Sequence, residues 1–234
     1  MKRPGTLAAA WEICKKDVRI ERRTGEIVAT AGVFSIVIGF LASMAFHVND
    51  KTNAATAAGT IWITIFFAAT LSFGRVWQRE RDESALTGLL VAPIPRASIF
   101  LGKMLGVLVF LLAVEMIVVP IVALMFHVDL PDVAAPLALV LFLGTIGVAA
   151  TGTLFGAMTV RTRARDLVLA TVLFPLLSPT LVSGVAASRE IIGASAVNRA
   201  VEMGDVQDYI LLLVLFDVVA VFGGVALFGA LVED

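Results

Sequence analysis

Six long apolar runs divide this chain, separated by charged or turn-forming stretches. They cover residues 27–46, 54–74, 99–126, 135–160, 167–187 and 209–232. A helix needs about 20 apolar residues to cross a hydrocarbon core of about 30 Å, so the pattern predicts six transmembrane helices. A β-barrel fits less well. Its strands alternate apolar and polar positions over about 10 residues, whereas these runs are apolar throughout.

Ahead of the first run, Leu7, Trp11, Cys14 and Val18 recur at helical spacing within residues 5–23. Glu12, Lys15, Lys16, Arg19, Arg22 and Arg23 fall elsewhere on the same helix. A basic amphipathic helix carrying a Trp belongs in the inner headgroup layer. The plainer alternative is a solvated basic tail that only sets topology.

Composition agrees with a membrane protein: 59% of the 234 residues are hydrophobic and the mean hydropathy is +0.96. Charge then fixes orientation. Fifteen of the 18 Lys and Arg fall in residues 1–26 and in the second and fourth loops, if Lys103 is counted with the second loop. Lys51, Arg189 and Arg199 fall on the other side. Positive charge stays cytoplasmic, so both termini are expected inside. The first run is a full span behind a long charged start, which is not the form of a cleavable signal peptide. Cys14 is the single cysteine, so no disulfide forms within the chain, and there is no Cys-x-x-Cys-His haem-attachment motif.

One cytoplasmic stretch stands out. From Arg75 to Lys103 the chain is densely charged between two apolar runs. Within it, residues 79–92 form a short predicted helix. Leu86, Leu89 and Leu90 make an apolar patch opposite Arg79, Glu80, Arg81, Asp82 and Glu83. Pro93 and Pro95 end that helix, and Ser98 is placed to cap the next one. The expected order is span, amphipathic helix, rigid Pro-x-Pro elbow, span. Such an elbow lets force from a soluble partner move the following span; the alternative is an ordinary charged loop.

Small residues recur four apart at Gly102 and Gly106, Gly147 and Thr151, Gly152 and Gly156, and Ala220 and Gly224, a spacing that lets helix backbones approach. Pro175 and Pro179 are expected to kink the fifth span. Residues 188–208 read as a long periplasmic loop, with one or two short helices at the outer interface. With no visible repeat or linker, residues 1–234 form one transmembrane domain. Its cytoplasmic parts are an interfacial helix within 1–26 and a coupling segment at 75–98.

Candidate chemistry is sparse. Glu115 lies mid-way along the third span and Asp217 inside the sixth. Intramembrane carboxyls are functional candidates by default. With no Lys or Arg counted inside a span, each is expected as a hydrogen-bonding neutral acid, or else as part of a polar pathway. His47 and His127 close the first and third spans on the outer face, where imidazole suits axial ligation of haem iron; amphipathic end residues are the plainer reading. No Gly-x-x-x-x-Gly-Lys-[Ser/Thr] phosphate loop is present. No catalytic triad, metal-ligand cluster or nucleic-acid motif stands out. The expectation is a non-enzymatic subunit that carries no catalytic residue, metal or firmly bound cofactor of its own and binds no nucleic acid.

These residues also carry a resemblance. Gly59-Thr-Ile-Trp62, the stretch from Arg79 to Pro95, Gly102-Lys103, Glu115 with Pro120, Gly144-Thr145 and Phe174-Pro-Leu-Leu-Ser-Pro179 occur in an order that resembles the haem exporter B family of membrane proteins in cytochrome c maturation. Members of that family are permeases of the ATP-binding-cassette class, and the match runs over about residues 10–230. The resemblance implies an all-α, six-span exporter permease in the bacterial inner membrane. Two copies would pair with two cytoplasmic subunits that hydrolyse ATP. A haem-handling membrane subunit and a periplasmic haem chaperone would complete the complex, with haem as substrate and lipid around it. It further implies that residues 79–90 are the coupling helix docked on the ATPase. Whether haem crosses this subunit, or ATP energy releases the loaded chaperone, is left open. Asp217, His47 and His127 match no motif of that family. Three rival readings fit the spans: a permease for a drug, lipid or polysaccharide, a non-conducting assembly scaffold, and a proton-coupled transporter using Glu115 and Asp217.

Overall fold

The computed structural model describes residues 5–46, 50–82, 88–89, 91–159, 172–197 and 199–233. Among these the chain is all helix, in seven main elements. They are α1 (Thr6–Thr24), α2 (Glu26–Phe46), α3 (Asp50–Asp82), α4 (Arg96–Phe126), α5 (Leu130–Thr159), α6 (Phe174–Ala196) and α7 (Met203–Glu233). Five carry stretches long and apolar enough to cross a membrane: Val28–Phe46, Ala55–Trp77, Arg96–Phe126, Leu130–Met158 and Met203–Leu231. The chain is therefore an integral membrane protein, all-helical among the described residues.

The run expected at 167–187 extends further than expected at its far end. Its described part begins at Phe174 and runs as α6 through Arg189 and Glu190 to Ala196. The long loop expected at 188–208 is correspondingly mistaken, because only residues 197–202 lie between α6 and α7. Good helix formers around the Arg189–Glu190 pair carry the helix onward, and Arg199 pairs with Asp205 at 2.7 Å across the turn into α7. Pro175 occupies the first turn of α6, where a missing N–H costs nothing. Pro179 sits further inside and leaves the Pro175 carbonyl without its helical donor. The Ser178 hydroxyl donates to that carbonyl instead, at 2.6 Å.

Aromatic side chains of α3 seated in glycine notches of α5 and α6 hold the bundle together. Trp62 lies between Gly144 of α5 and Gly184 of α6, and a Cβ at either glycine would come within 2.3 Å of the indole. Its Nε1 donates to Ser188 at 2.9 Å. Further along, Phe73 covers Gly152 and Trp77 covers Gly156. The predicted small-residue spacing at 152 and 156 thus receives two rings. In the same way Phe100 of α4 covers Gly224 of α7. Each contact needs hydrogen where another residue carries a methyl group, and each ring fills the space left.

On the periphery, α2 exposes Phe34, Phe40, Leu41 and Met44, and α7 exposes Leu211, Leu215, Val219 and Phe222. A bilayer covers such a band.

Candidate functional site

The coupling segment joins two of the longest helices. At about 1.5 Å per residue the 33 residues of α3 span about 50 Å, well beyond the hydrocarbon core. Arg79, Glu80, Arg81 and Asp82 form the last turn of this helix. The separate helix expected to begin at Arg79 is therefore corrected at its start: the backbone of α3 continues through Arg79 without a break. Glu83, Leu86 and Leu90 lie outside the described residues. Helical geometry is present at Gly88, Leu89 and Val91, where the Ala92 N–H donates to the Gly88 carbonyl at 3.2 Å. Leu89 is half-buried against the core, whereas Val91 is 83% exposed.

The elbow follows. Residues 92–94 bend, and Pro95 adopts an extended conformation (φ −62°, ψ 140°) as the N-cap of α4. The Ser98 N–H donates to the Pro95 carbonyl at 2.9 Å. Ser98 is not the cap expected of it. Its side chain is buried inside the first turn, and its hydroxyl has no partner.

α4 does not leave the elbow alone. α1 packs along its first turns, burying Ala9, Ala10, Ile13, Cys14, Asp17 and Glu21. A Cβ at Gly102 would lie 2.7 Å from the Ala10 carbonyl and from Ile13 Cβ, so glycine allows this approach. At the next position, Lys103 Nζ donates to Asp17 Oδ2 at 2.8 Å, with the lysine side chain 1% exposed. Counting Lys103 with a loop was mistaken, since it is a buried helical residue whose charge is met by another helix. The apolar stripe expected on α1 also divides: Cys14 is buried against the bundle, while Leu7 and Trp11 face outward. At its end Gly25 takes a left-handed conformation (φ 61°) that favours glycine, and its N–H bonds the Glu21 carbonyl at 2.6 Å. Glu21 Oε1 then accepts from the Val28 N–H at 3.0 Å, fixing the entry to α2. Arg75 of α3 pairs with Glu26 of α2 at the same junction.

Burial pushes the Cys14 thiol upward, and the nearby Asp17 carboxylate adds to the shift. A thiol in that setting is a packed side chain rather than a nucleophile.

Mid-way through the bundle lies a second polar group. The Thr145 hydroxyl of α5 donates to Glu115 Oε1 of α4, and both residues are buried. Two residues along α5, Gly147 faces Asp217 of α7, and a Cβ there would lie 2.6 Å from Asp217 Oδ1. Asp217 is buried, with neither carboxyl oxygen in a hydrogen bond of regular geometry. α5 thus presents both carboxyls with a close neighbour, one a hydroxyl and the other bare backbone. Neither acid forms an ion pair among the described residues.

Of the two histidines, only His127 lies among the described residues. His127 is exposed and ends α4 in a left-handed conformation (φ 56°, ψ 44°), its N–H bonding the Ala123 carbonyl. His47 lies outside the described residues. No cluster of three or more metal-ligating side chains occurs among the described residues.

Sequence reasoning missed three parts of this arrangement. Val91 is the exposed apolar tip before the elbow, and one valine beyond a leucine patch gives no signal of its own. Asp17 was not singled out on a helix rich in charge. Thr145 entered only through the Gly144-Thr145 pair of the family resemblance, although a hydroxyl on a spanning helix is itself a sign of a buried acceptor nearby.

The model of the family described as CcmB protein matches residues 8–231. The chain is 25% identical over 191 residues to the heme exporter protein B of Rhodobacter capsulatus, covering 82% of this chain and 85% of that one. It is 27% identical over 175 residues to the Paracoccus denitrificans protein of the same name (74% and 79%). Against that of Pseudomonas aeruginosa it is 28% identical over 164 residues (70% and 72%).

Proposed function

Because this chain belongs to the CcmB protein family, we propose that it is the permease subunit of an ATP-driven complex serving cytochrome c maturation in a bacterial inner membrane, with haem as the cargo. The cargo class comes from relatives named heme exporter protein B. The observation that carries the ATP-driven part is the mounting of the charged segment. It is joined directly to a 33-residue helix on one side and a 31-residue helix on the other, so displacement of the segment moves two rods that both enter the membrane. In this reading residues 79–91 dock on a cytoplasmic ATPase. Arg79, Glu80, Arg81, Asp82 and Glu83 supply charged register contacts, and Leu86, Leu89, Leu90 and Val91 supply apolar ones. Pro93 and Pro95 stiffen the exit. α6 serves as the sixth crossing, both termini are cytoplasmic, and a second copy completes the permease, as in exporters of the ATP-binding-cassette class. Closure of the ATPase pair then moves the rods as rigid bodies.

The test is affinity purification from native membranes in mild detergent, followed by mass spectrometry. The reading expects a stoichiometric phosphate-loop ATPase together with a haem-handling membrane protein. An ATPase without the haem protein would point to another cargo, and recovery of neither would overturn the proposal.

One observation favours chaperone release over conduction through a single copy. Trp62, Phe73 and Trp77 fill the glycine-lined faces between α3, α5 and α6, where a macrocycle would otherwise pass. ATP-dependent appearance of haem inside sealed vesicles holding the complex would sink that second reading.

A further inference from the structure

Three arginines near the end of α1 are exposed and form no ion pair among the described residues: Arg19, Arg22 and Arg23. Their spacing (i, i+3, i+4) gathers them on one side of the helix. The other charges of α1 are committed. Lys15 pairs with Glu12 at 2.7 Å, Asp17 binds Lys103 at 2.8 Å and also meets Lys16 at 3.3 Å, and Glu21 caps the start of α2. Trp11 (55% exposed) and Leu7 (77% exposed) are the large apolar side chains left outward at the other end of the helix. The level of the helix is fixed as well. Gly25 alone separates it from α2, whose membrane-spanning stretch starts at Val28, and its inner side packs on the opening turns of α4. α1 therefore lies at the cytoplasmic ends of the spans, where headgroups are.

We propose that this outer face of α1 binds anionic phospholipid headgroups of the inner leaflet, and that the buried Asp17–Lys103 pair passes the state of that contact to the elbow. Free guanidinium groups are forked donors suited to phosphate oxygens, and an indole with an aliphatic neighbour suits the boundary beneath them. The partner is a lipid surface rather than a soluble phosphate, because cations and apolar side chains share one helix at membrane level. The transmission clause rests on the proposed ATP-driven function, since it makes lipid a regulator of coupling. The binding clause does not rest on it.

Trp11 gives a direct probe. Trp62 and Trp77 are buried at 1% and 3% exposure, so Trp11 is the exposed indole among the three. The full chain is placed in nanodiscs containing brominated phosphatidylglycerol or brominated phosphatidylcholine, and Trp11 quenching is titrated. Half-quenching is expected at a fraction of the anionic lipid at least about tenfold lower, which two or three basic side chains near a charged surface more than provide. The preference should fade at high salt and vanish in R19Q/R22Q/R23Q. Equal quenching by both lipids, or an unchanged preference in the triple variant, would overturn the binding clause. Added inorganic phosphate abolishing the preference would assign the site to free anions and also overturn it.

In the assembled complex, anionic lipid should change the ATPase rate severalfold in the native chain. D17N, with its lipid preference intact, should not show that response. A D17N complex responding as the native one does would overturn the transmission clause. A complex without ATPase activity in any lipid would sink the proposed function while leaving the quenching result standing.

Discussion

Lys103 Nζ donates to Asp17 Oδ2 at 2.8 Å, joining α1 to the helix that leaves the elbow. Both side chains are buried, at 1% and 9% exposure. Removing one partner leaves an uncompensated buried charge, which costs about 3–5 kcal/mol. D17N and K103M should each lower the unfolding temperature in detergent clearly. The double variant D17N/K103M should lose less than either single change, because no bare charge remains. Additive losses would show that the two groups are not coupled.

Cys14 reports on the same clamp. Its thiol is pushed upward by burial and by Asp17, so less of it is thiolate at mildly alkaline pH than in a free cysteine, and alkylation by iodoacetamide should be slow. The rate should climb as pH rises toward the raised pKa. D17N removes the neighbouring negative charge, which lowers the pKa and speeds labelling at fixed pH. Labelling as fast as that of a model thiol under the same conditions would contradict this account of α1.

The aromatic notches predict strict size limits. A Cβ at Gly152 would lie 1.8 Å from Phe73 Cζ, so G152A forces the ring aside and should cost about 1–3 kcal/mol. F73L in the same chain should restore part of that loss. Thermal unfolding of the two variants and their combination checks the pairing.

How much of this was legible beforehand differs from place to place. The apolar runs are read without tertiary contacts, so five of the six expected spanning segments and the two helices that flank the charged segment emerged directly. Residues 188–196 did not, because Arg189 and Glu190 look like a loop when hydropathy is averaged, although their neighbours favour helix. Lys103 was misplaced for a related reason. It follows Arg96 closely and reads as the end of a charged stretch, and only Asp17, 86 residues away in sequence, explains how it can be buried. Glu115 was found as an intramembrane acid, but its partner Thr145 depends on the packing of α4 against α5.

That bond makes Glu115 testable. E115Q keeps an oxygen that accepts from Thr145, so it should sustain cytochrome c maturation at near-native yield. E115L leaves the Thr145 hydroxyl without its acceptor and should cost about 1–2 kcal/mol of stability. A severe loss of cytochrome c in E115Q, with the protein still folded, would instead assign Glu115 to moving a proton or substrate.

Docking of the charged segment on an ATPase is tested most directly at Val91, exposed at the tip just before the elbow. A photo-crosslinking amino acid placed at that position in native membranes, and irradiated in cells, should capture a phosphate-loop ATPase subunit as its main product. The capture should be lost in a background carrying E80K and E83K. Crosslinks confined to lipid or to this chain itself would contradict the account.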